Sequence, residues 1–371
     1  MSVLKSLGRW ASTVPARTIA GFGLRPARTP PLSFVCERNN WSIRWDGLSI
    51  ADHINEAEPG VMAVNDQPYR VMSPLVHYGS QYLWTAWQPY LSSQSRYIVT
   101  YFHGRPEDGP AAARNIDEVL RSLPKLDAVI TASRAMEDLL LQWGVPPDKL
   151  HRIPIGVDTT HFRLPTDEER AAARARFGIT PGQFCIGSFQ KDGVGWGDGM
   201  EPKMIKGPDV FLDVVRRLSK EIDLVVLLTG PARGYVKAGL EKLGVQYHHQ
   251  HLEHYPALAS WFHALDAYPV TSREEGGPKA VMESMATGVP IISTRVGMAP
   301  DVIDHSVSGF LTNICDAESI TQYCLKVASD PALVSKMTTT ARNAVLDLDW
   351  RNVAHRHLSE VYSPIHQMLS D

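Results

Sequence analysis

The run Thr271–Pro290, TSREEGGPKAVMESMATGVP, concentrates groups that could do chemistry. Glu275 and Glu283 are separated by seven residues, and Gly276, Gly277 and Pro278 directly follow the first of them. A carboxylate accepts hydrogen bonds from sugar or ribose hydroxyls. A spacing longer than a helical turn suits two parts of one extended ligand better than one metal ion. Paired glycines let backbone approach a ligand closely, and a proline suits the first turn of a helix. The opening amides of that helix, from Lys279 onward, are unpaired and favour an anion. A nucleoside-diphosphate sugar offers this succession of hydroxyls, diphosphate and ribose. A solvated turn before a helix with a Lys279/Glu283 pair at i,i+4 spacing fits the same residues, and local chemistry leaves both readings open.

Positive charge lies upstream. The segment Gln190–Pro208, QKDGVGWGDGMEPKMIKGP, carries Lys191, Lys203 and Lys206 among glycines. It suits a cover over a donor phosphate as well as a solvated loop. Arg233 follows Gly230 and Pro231 and is a further diphosphate candidate, although a solvent-facing arginine is the plainer expectation. His103 ends the run Tyr97–His103, YIVTYFH, which places it at the carboxyl edge of a strand, where open α/β sheets bind ligands. There it could bind a sugar hydroxyl, help arrange a departing diphosphate, or pack. Tyr247–His254 holds four histidines beside Glu253, but their spacing matches no defined zinc site, so no metal is expected.

Such residues need sheet edges to hold them. Ala128–Thr131, Phe184–Phe189 and Leu224–Thr229 read as buried strands, with shorter ones at Leu32 and at Val61–Val64. Helical patterns at Asn115–Leu123, Met136–Trp143, Thr166–Phe177, Val210–Leu218 and after Pro278 alternate with them, which places the chain in the α/β class. Tyr82, Trp84, Trp87 and Tyr90 could stack on a sugar, with core packing the first expectation. A chain of 371 residues exceeds one average domain, so two are expected. With 44% hydrophobic residues and a net charge of -3 the chain is globular, with no electrostatic reason to bind nucleic acid. Cys36, Cys185, Cys315 and Cys324 form no close pairs, which points to a reducing compartment. No apolar run reaches the roughly 18 residues of a membrane span. Ordered structure is expected to begin near Leu32. The first 30 residues carry Lys5, Arg9, Arg17, Arg25 and Arg28 and no acid. With Leu4, Leu7 and Trp10 they suit weak peripheral contact with an anionic membrane. A cytoplasmic protein, peripheral at the membrane's cytoplasmic face at most, is expected.

The Glu275/Glu283 run with its glycine turn resembles the signature of retaining glycosyltransferases of family 4. That family has the GT-B fold, two Rossmann-like domains facing across a cleft. Pro290–Thr294 and Gly297–Leu311 continue the resemblance, and the FHG run at His103 is similar to the motif whose histidine approaches the donor sugar. It is strongest over 128–158 and 184–311 and poor over 1–96. Beyond the basic tail at 1–30 read from composition, it implies an acceptor-side domain at 31–158, a nucleotide-sugar domain at 159–346, and a helix at 347–371 crossing back to the first domain. Catalysis would fall to Glu275, His103 and Lys206. Glu283 would hold the ribose, while Gly276, Gly277, Pro278, Lys279, Lys191 and Arg233 would bind the donor. The resemblance further implies a metal-independent reaction with no cofactor, in which the donor is a substrate and the acceptor a glycan, a glycolipid or a small molecule. Ser188 follows Gly187 where the family has an arginine, Ile155 replaces an asparagine, and no glycine pair follows the first strand. An epimerase of the same architecture and a non-catalytic donor-binding subunit are the alternatives.

Overall fold

A computed structural model describes residues 3–21, 26, 28–38 and 42–367. The chain divides into two compact units, Met1–Ile155 with Trp350–Asp371, and Gly156–Asp349. Arg25, Asn39, Asn40 and Trp41, and the side chains of Leu4, Lys5, Leu7 and Arg17, lie outside the described residues.

The first unit is built on six parallel strands: β1 (Leu32–Val35), β2 (Met62–Asn65), β3 (Leu75–Tyr78), β4 (Arg96–Thr100), β5 (Ala128–Thr131) and β6 (Leu150–Arg152). Their order is β2-β1-β3-β4-β5-β6. β1, β3 and β5 are buried along their whole length, as strands covered on both faces must be. β4 stops at Thr100, so His103 lies beyond the strand and not at its last position. Order also begins well before Leu32, because Val3–Gly21 is a helix. Arg9 secures it, donating to the Ala86 carbonyl at 2.7 Å with its guanidinium 5.2 Å from the Trp87 ring centroid. Among the aromatic residues, Trp84 is fully buried and donates to Ser122 Oγ at 2.7 Å, whereas Tyr82 is exposed. The C-terminal helix Trp350–Arg356 passes into a π-helical turn, His357–Tyr362. There the Tyr362 hydroxyl meets Nδ1 of His77 at 2.7 Å, and Thr100 Oγ1 meets Nε2 at 2.7 Å.

The second unit holds β7 (Phe184–Phe189), β8 (Leu224–Thr229), β9 (Gln246–Gln250), β10 (Tyr268–Val270), β11 (Ile291–Thr294) and β12 (Phe310–Thr312). β7-β8-β9 and β10-β11-β12 are joined by a parallel bridge between Ile186 and Ala267. The strand order is therefore β9-β8-β7-β10-β11-β12, which reverses its direction of growth between β7 and β10. All six residues of β8 are buried, which explains the unbroken apolar run LVVLLT. Against this sheet the helix Pro208–Leu218 buries Val210, Phe211, Val214, Val215 and Leu218, one face at helical spacing. The helix Asp167–Arg176 is capped reciprocally by Thr166 and Glu169. From it Arg170 and Arg174 both reach Asp266, at 2.6 and 2.9 Å, and Asp266 accepts the Cys185 amide at 2.8 Å. That clamp fixes β7 to the segment entering β10.

Candidate active site

Loops leaving two strands at a reversal point part in opposite directions and open a crevice at the carboxyl ends of the strands. In the second unit the loops in question follow β7 and β10, and they carry Lys206 and Glu275. Lys206 Nζ donates to both carboxylate oxygens of Glu275 at 2.6 Å, and Ser272 Oγ donates to Oε1 at 2.7 Å. Backbone straps hold the two loops together. The Arg273 amide donates to the Ile205 carbonyl at 2.7 Å, and Thr271 Oγ1 donates to the Gly207 carbonyl at 3.0 Å. Gly207 sits at φ +64°, and a Cβ there would lie 1.9 Å from the Thr271 carbonyl oxygen, so only glycine allows this approach. Among the described residues no acceptor takes the amides of Gly276 and Gly277, which leaves them for a ligand. Pro278 is the N-cap residue, one position before the first turn expected for it, and the helix begins at Lys279.

Glu283 lies inside that helix and is only 3% exposed. The Tyr255 hydroxyl donates to its Oε1, and the Lys279 ammonium stands 5.1 Å from the Tyr255 ring centroid. Tyr255 and Ser272 escaped the sequence reading. Tyr255 does fall in Leu252–Trp261, the stretch whose resemblance pointed to the nucleotide base, and Ser272 precedes Glu275 by three residues.

Lys191 donates to the Gly193 carbonyl at 3.1 Å and stands 5.0 Å from the Trp196 ring centroid. Arg233 corrects an expectation: it neither faces solvent nor reaches for a diphosphate. It is 1% exposed, donates to the carbonyls of Ser188, Gln190 and Thr229 at 2.6, 2.9 and 2.7 Å, and pairs with buried Asp192 at 3.0 Å. Burial pushes its pKa down and that of Asp192 up, each opposed by the partner's charge. Ser188, at the family's arginine position, is also inside, its Oγ accepting from Arg233 at 2.9 Å. His103 belongs to the first unit, where its carbonyl accepts from Gln81 Nε2 at 2.8 Å. Of the clustered histidines, His249 bonds the Gly230 carbonyl at 2.8 Å. Among the described residues no group of three or more His, Cys, Asp or Glu could hold a metal ion.

Two domain families match this chain. Glycosyltransferase Family 4 covers residues 74–161 and Glycosyl transferases group 1 covers residues 201–344. A D-inositol 3-phosphate glycosyltransferase of Xylanimonas cellulosilytica is 28% identical over 250 residues, 64% of this chain and 57% of its own length. The chain thus spans less than two thirds of that relative. The amylovoran biosynthesis glycosyltransferase AmsK of Erwinia amylovora is 24% identical over 331 residues, 82% of this chain and 72% of that protein. Among solved structures, HepE of Anabaena in complex with UDP-glucose superposes with a TM-score of 0.74 at 16% identity, covering 90% of this chain and 99% of that one. The architecture is that of the GT-B class, two Rossmann-like α/β domains. With both domain families on one chain, the protein is related to the group 1 and family 4 glycosyltransferases, and its domains are family-4-like.

Proposed function

We propose that this protein transfers a sugar, with retention of anomeric configuration, from a nucleoside-diphosphate sugar to a hydroxyl of a glycan, glycolipid or small-molecule acceptor. The observation that carries this reading is the Lys206–Glu275 pair held beside the Gly276–Gly277 turn at the β7/β10 reversal. The UDP-glucose complex of HepE and the names of the inositol-phosphate relatives support a nucleotide-sugar donor and a hydroxyl acceptor.

In the proposed step the acceptor oxygen bonds the anomeric carbon on the face from which the diphosphate departs, and the acceptor's proton passes to the departing phosphate oxygen. Lys206 and the free amides of Gly276 and Gly277 bear the negative charge that develops there. Lys191 adds charge from the same loop. Glu275, held by Lys206 at 2.6 Å, orients the hydroxyls of the transferred sugar, and His103 is assigned to the donor sugar as well. Glu283 receives the ribose once Tyr255 turns aside. The task of neutralising the diphosphate falls to lysines, so the reading needs no resident metal or cofactor. The basic opening segment, with Trp10 exposed, supports peripheral contact at the cytoplasmic face of a membrane.

Glu275→Gln should lower kcat/KM by about 100-fold or more while the melting curve stays near that of the parent. A panel of donors and acceptors read by mass spectrometry supplies the assay. An unchanged rate with a competent pair would end the assignment of Glu275, and a donor sugar altered without any acceptor would favour epimerisation.

A further inference from the structure

The loop after β7 is a braced strap. The amide of Val194 donates to the Glu201 carbonyl at 2.9 Å, and that of Lys203 to the Asp192 carbonyl at 2.7 Å. At its far end the carbonyls of Asp198 and Gly199 accept the amides of Gly234 and Tyr235, at 2.6 and 2.9 Å. Beneath it lies the buried Asp192–Arg233 pair. The strap presents three ammonium groups, and among the described residues one of them meets a carboxylate, Lys206 on Glu275. Among the described residues neither a carboxylate nor a carbonyl holds the half-buried Lys203 ammonium. Burial, then Lys206, then Lys191 push its pKa down, and Glu275 is the sole acid opposing them. A half-buried cation crowded by like charge is unfavourable until an anion arrives, and such a cluster suits a polyvalent one.

We infer that Lys203 binds the donor's diphosphate together with Lys206, completing a three-lysine anion site on the strap. The assignment to a nucleotide donor rests on the function proposed above; the anion site itself does not. The test titrates pyrophosphate, then UDP, ADP and GDP, then the matching nucleosides, into the parent, Lys203→Met and Lys203→Arg by calorimetry. The expected result is a loss of about tenfold or more for pyrophosphate and the preferred nucleoside diphosphate in Lys203→Met. Lys203→Arg should recover most of it, and nucleoside affinity should change less than about twofold because a nucleoside lacks the charge. Diphosphate binding by Lys203→Met as tight as by the parent would overturn the role of Lys203 and leave the nucleotide reading intact. Lys203-dependent pyrophosphate binding without any added affinity for a nucleoside diphosphate would keep the anion site and remove the nucleotide. A parent that binds neither would overturn both.

Discussion

Arg233 separates a residue's type from its task. It follows a strand and a Gly-Pro turn, where a guanidinium would suit a diphosphate, yet both terminal nitrogens of its fork bond groups of the interior. Its hydrogen bonds satisfy carbonyls at the start of the strap, and Asp192 supplies the opposite charge at 1% exposure. Removing one member of a buried pair leaves the other charged and uncompensated. Asp192→Asn should therefore cost about 3 kcal/mol or more, read as a lowered denaturation midpoint. Arg233 bonds the Gln190 carbonyl and Asp192 at the start of the loop that carries Lys191, Lys203 and Lys206, so the same variant should weaken binding of the proposed diphosphate only through the loop it loosens. Glu283 carries the same lesson in milder form: its spacing from Glu275 is plain in the sequence, but its burial under the Tyr255 hydroxyl is not.

At the scale of elements, the two loops at the β7/β10 reversal work as one because Gly207 lets them touch. The left-handed backbone costs an L-residue about 1–2 kcal/mol, and the Thr271 carbonyl blocks a Cβ outright. Gly207→Ala should push the loop 203–207 away from Thr271, separate Lys206 from Glu275, and lower kcat/KM by about tenfold or more, each tenfold being about 1.4 kcal/mol of barrier. Gly244→Ala is the matched control. It carries a similar strain at φ +67°, with nothing within 4 Å of the added Cβ, so it should lower the melting temperature and leave kcat/KM alone. The helix Val3–Gly21 was the element least legible beforehand. Its basic residues suit a tail ahead of the order expected from Leu32, and what anchors the helix is a carbonyl 77 residues away.

At the scale of the molecule, the chain leaves its first unit at Ile155 and re-enters it at Trp350. The returning segment closes over a histidine pair, His77 and His357, both fully buried and both held neutral. Burial is the main cause in each, with His357 pushed down to about 3, where Arg356 adds to the effect, and His77 lowered further by His357. A histidine whose folded pKa is depressed contributes its full stability above the unfolded value near 6.5, because only the unfolded chain gains a proton as pH falls below it. That stability is lost progressively from about pH 6.5 down toward the folded pKa, for His357 about 2 kcal/mol by pH 5. Hydrogen exchange of β3 and of residues 357–362 at pH 7, 6 and 5 should show protection falling with pH. His357→Leu should flatten the slope by about 1.4 kcal/mol per pH unit, and an unchanged slope would refute the assignment.

The sequence by itself determined whatever depends on neighbours along the chain. The seven-residue gap between Glu275 and Glu283, the apolar run of β8, and the helix expected over Thr166–Phe177 are legible because residue spacing, two-sided burial and helical pattern are local. Tertiary structure alone decided which charges are paired. Lys206 meets Glu275 across 69 positions and Arg233 meets Asp192 beneath the loop, while among the described residues Lys203, three residues from Lys206, has no carboxylate or carbonyl partner. Local rules cannot sort these cations, since a salt bridge forms where strand order and a glycine contact bring two loops together, and that order is set by packing of the whole sheet.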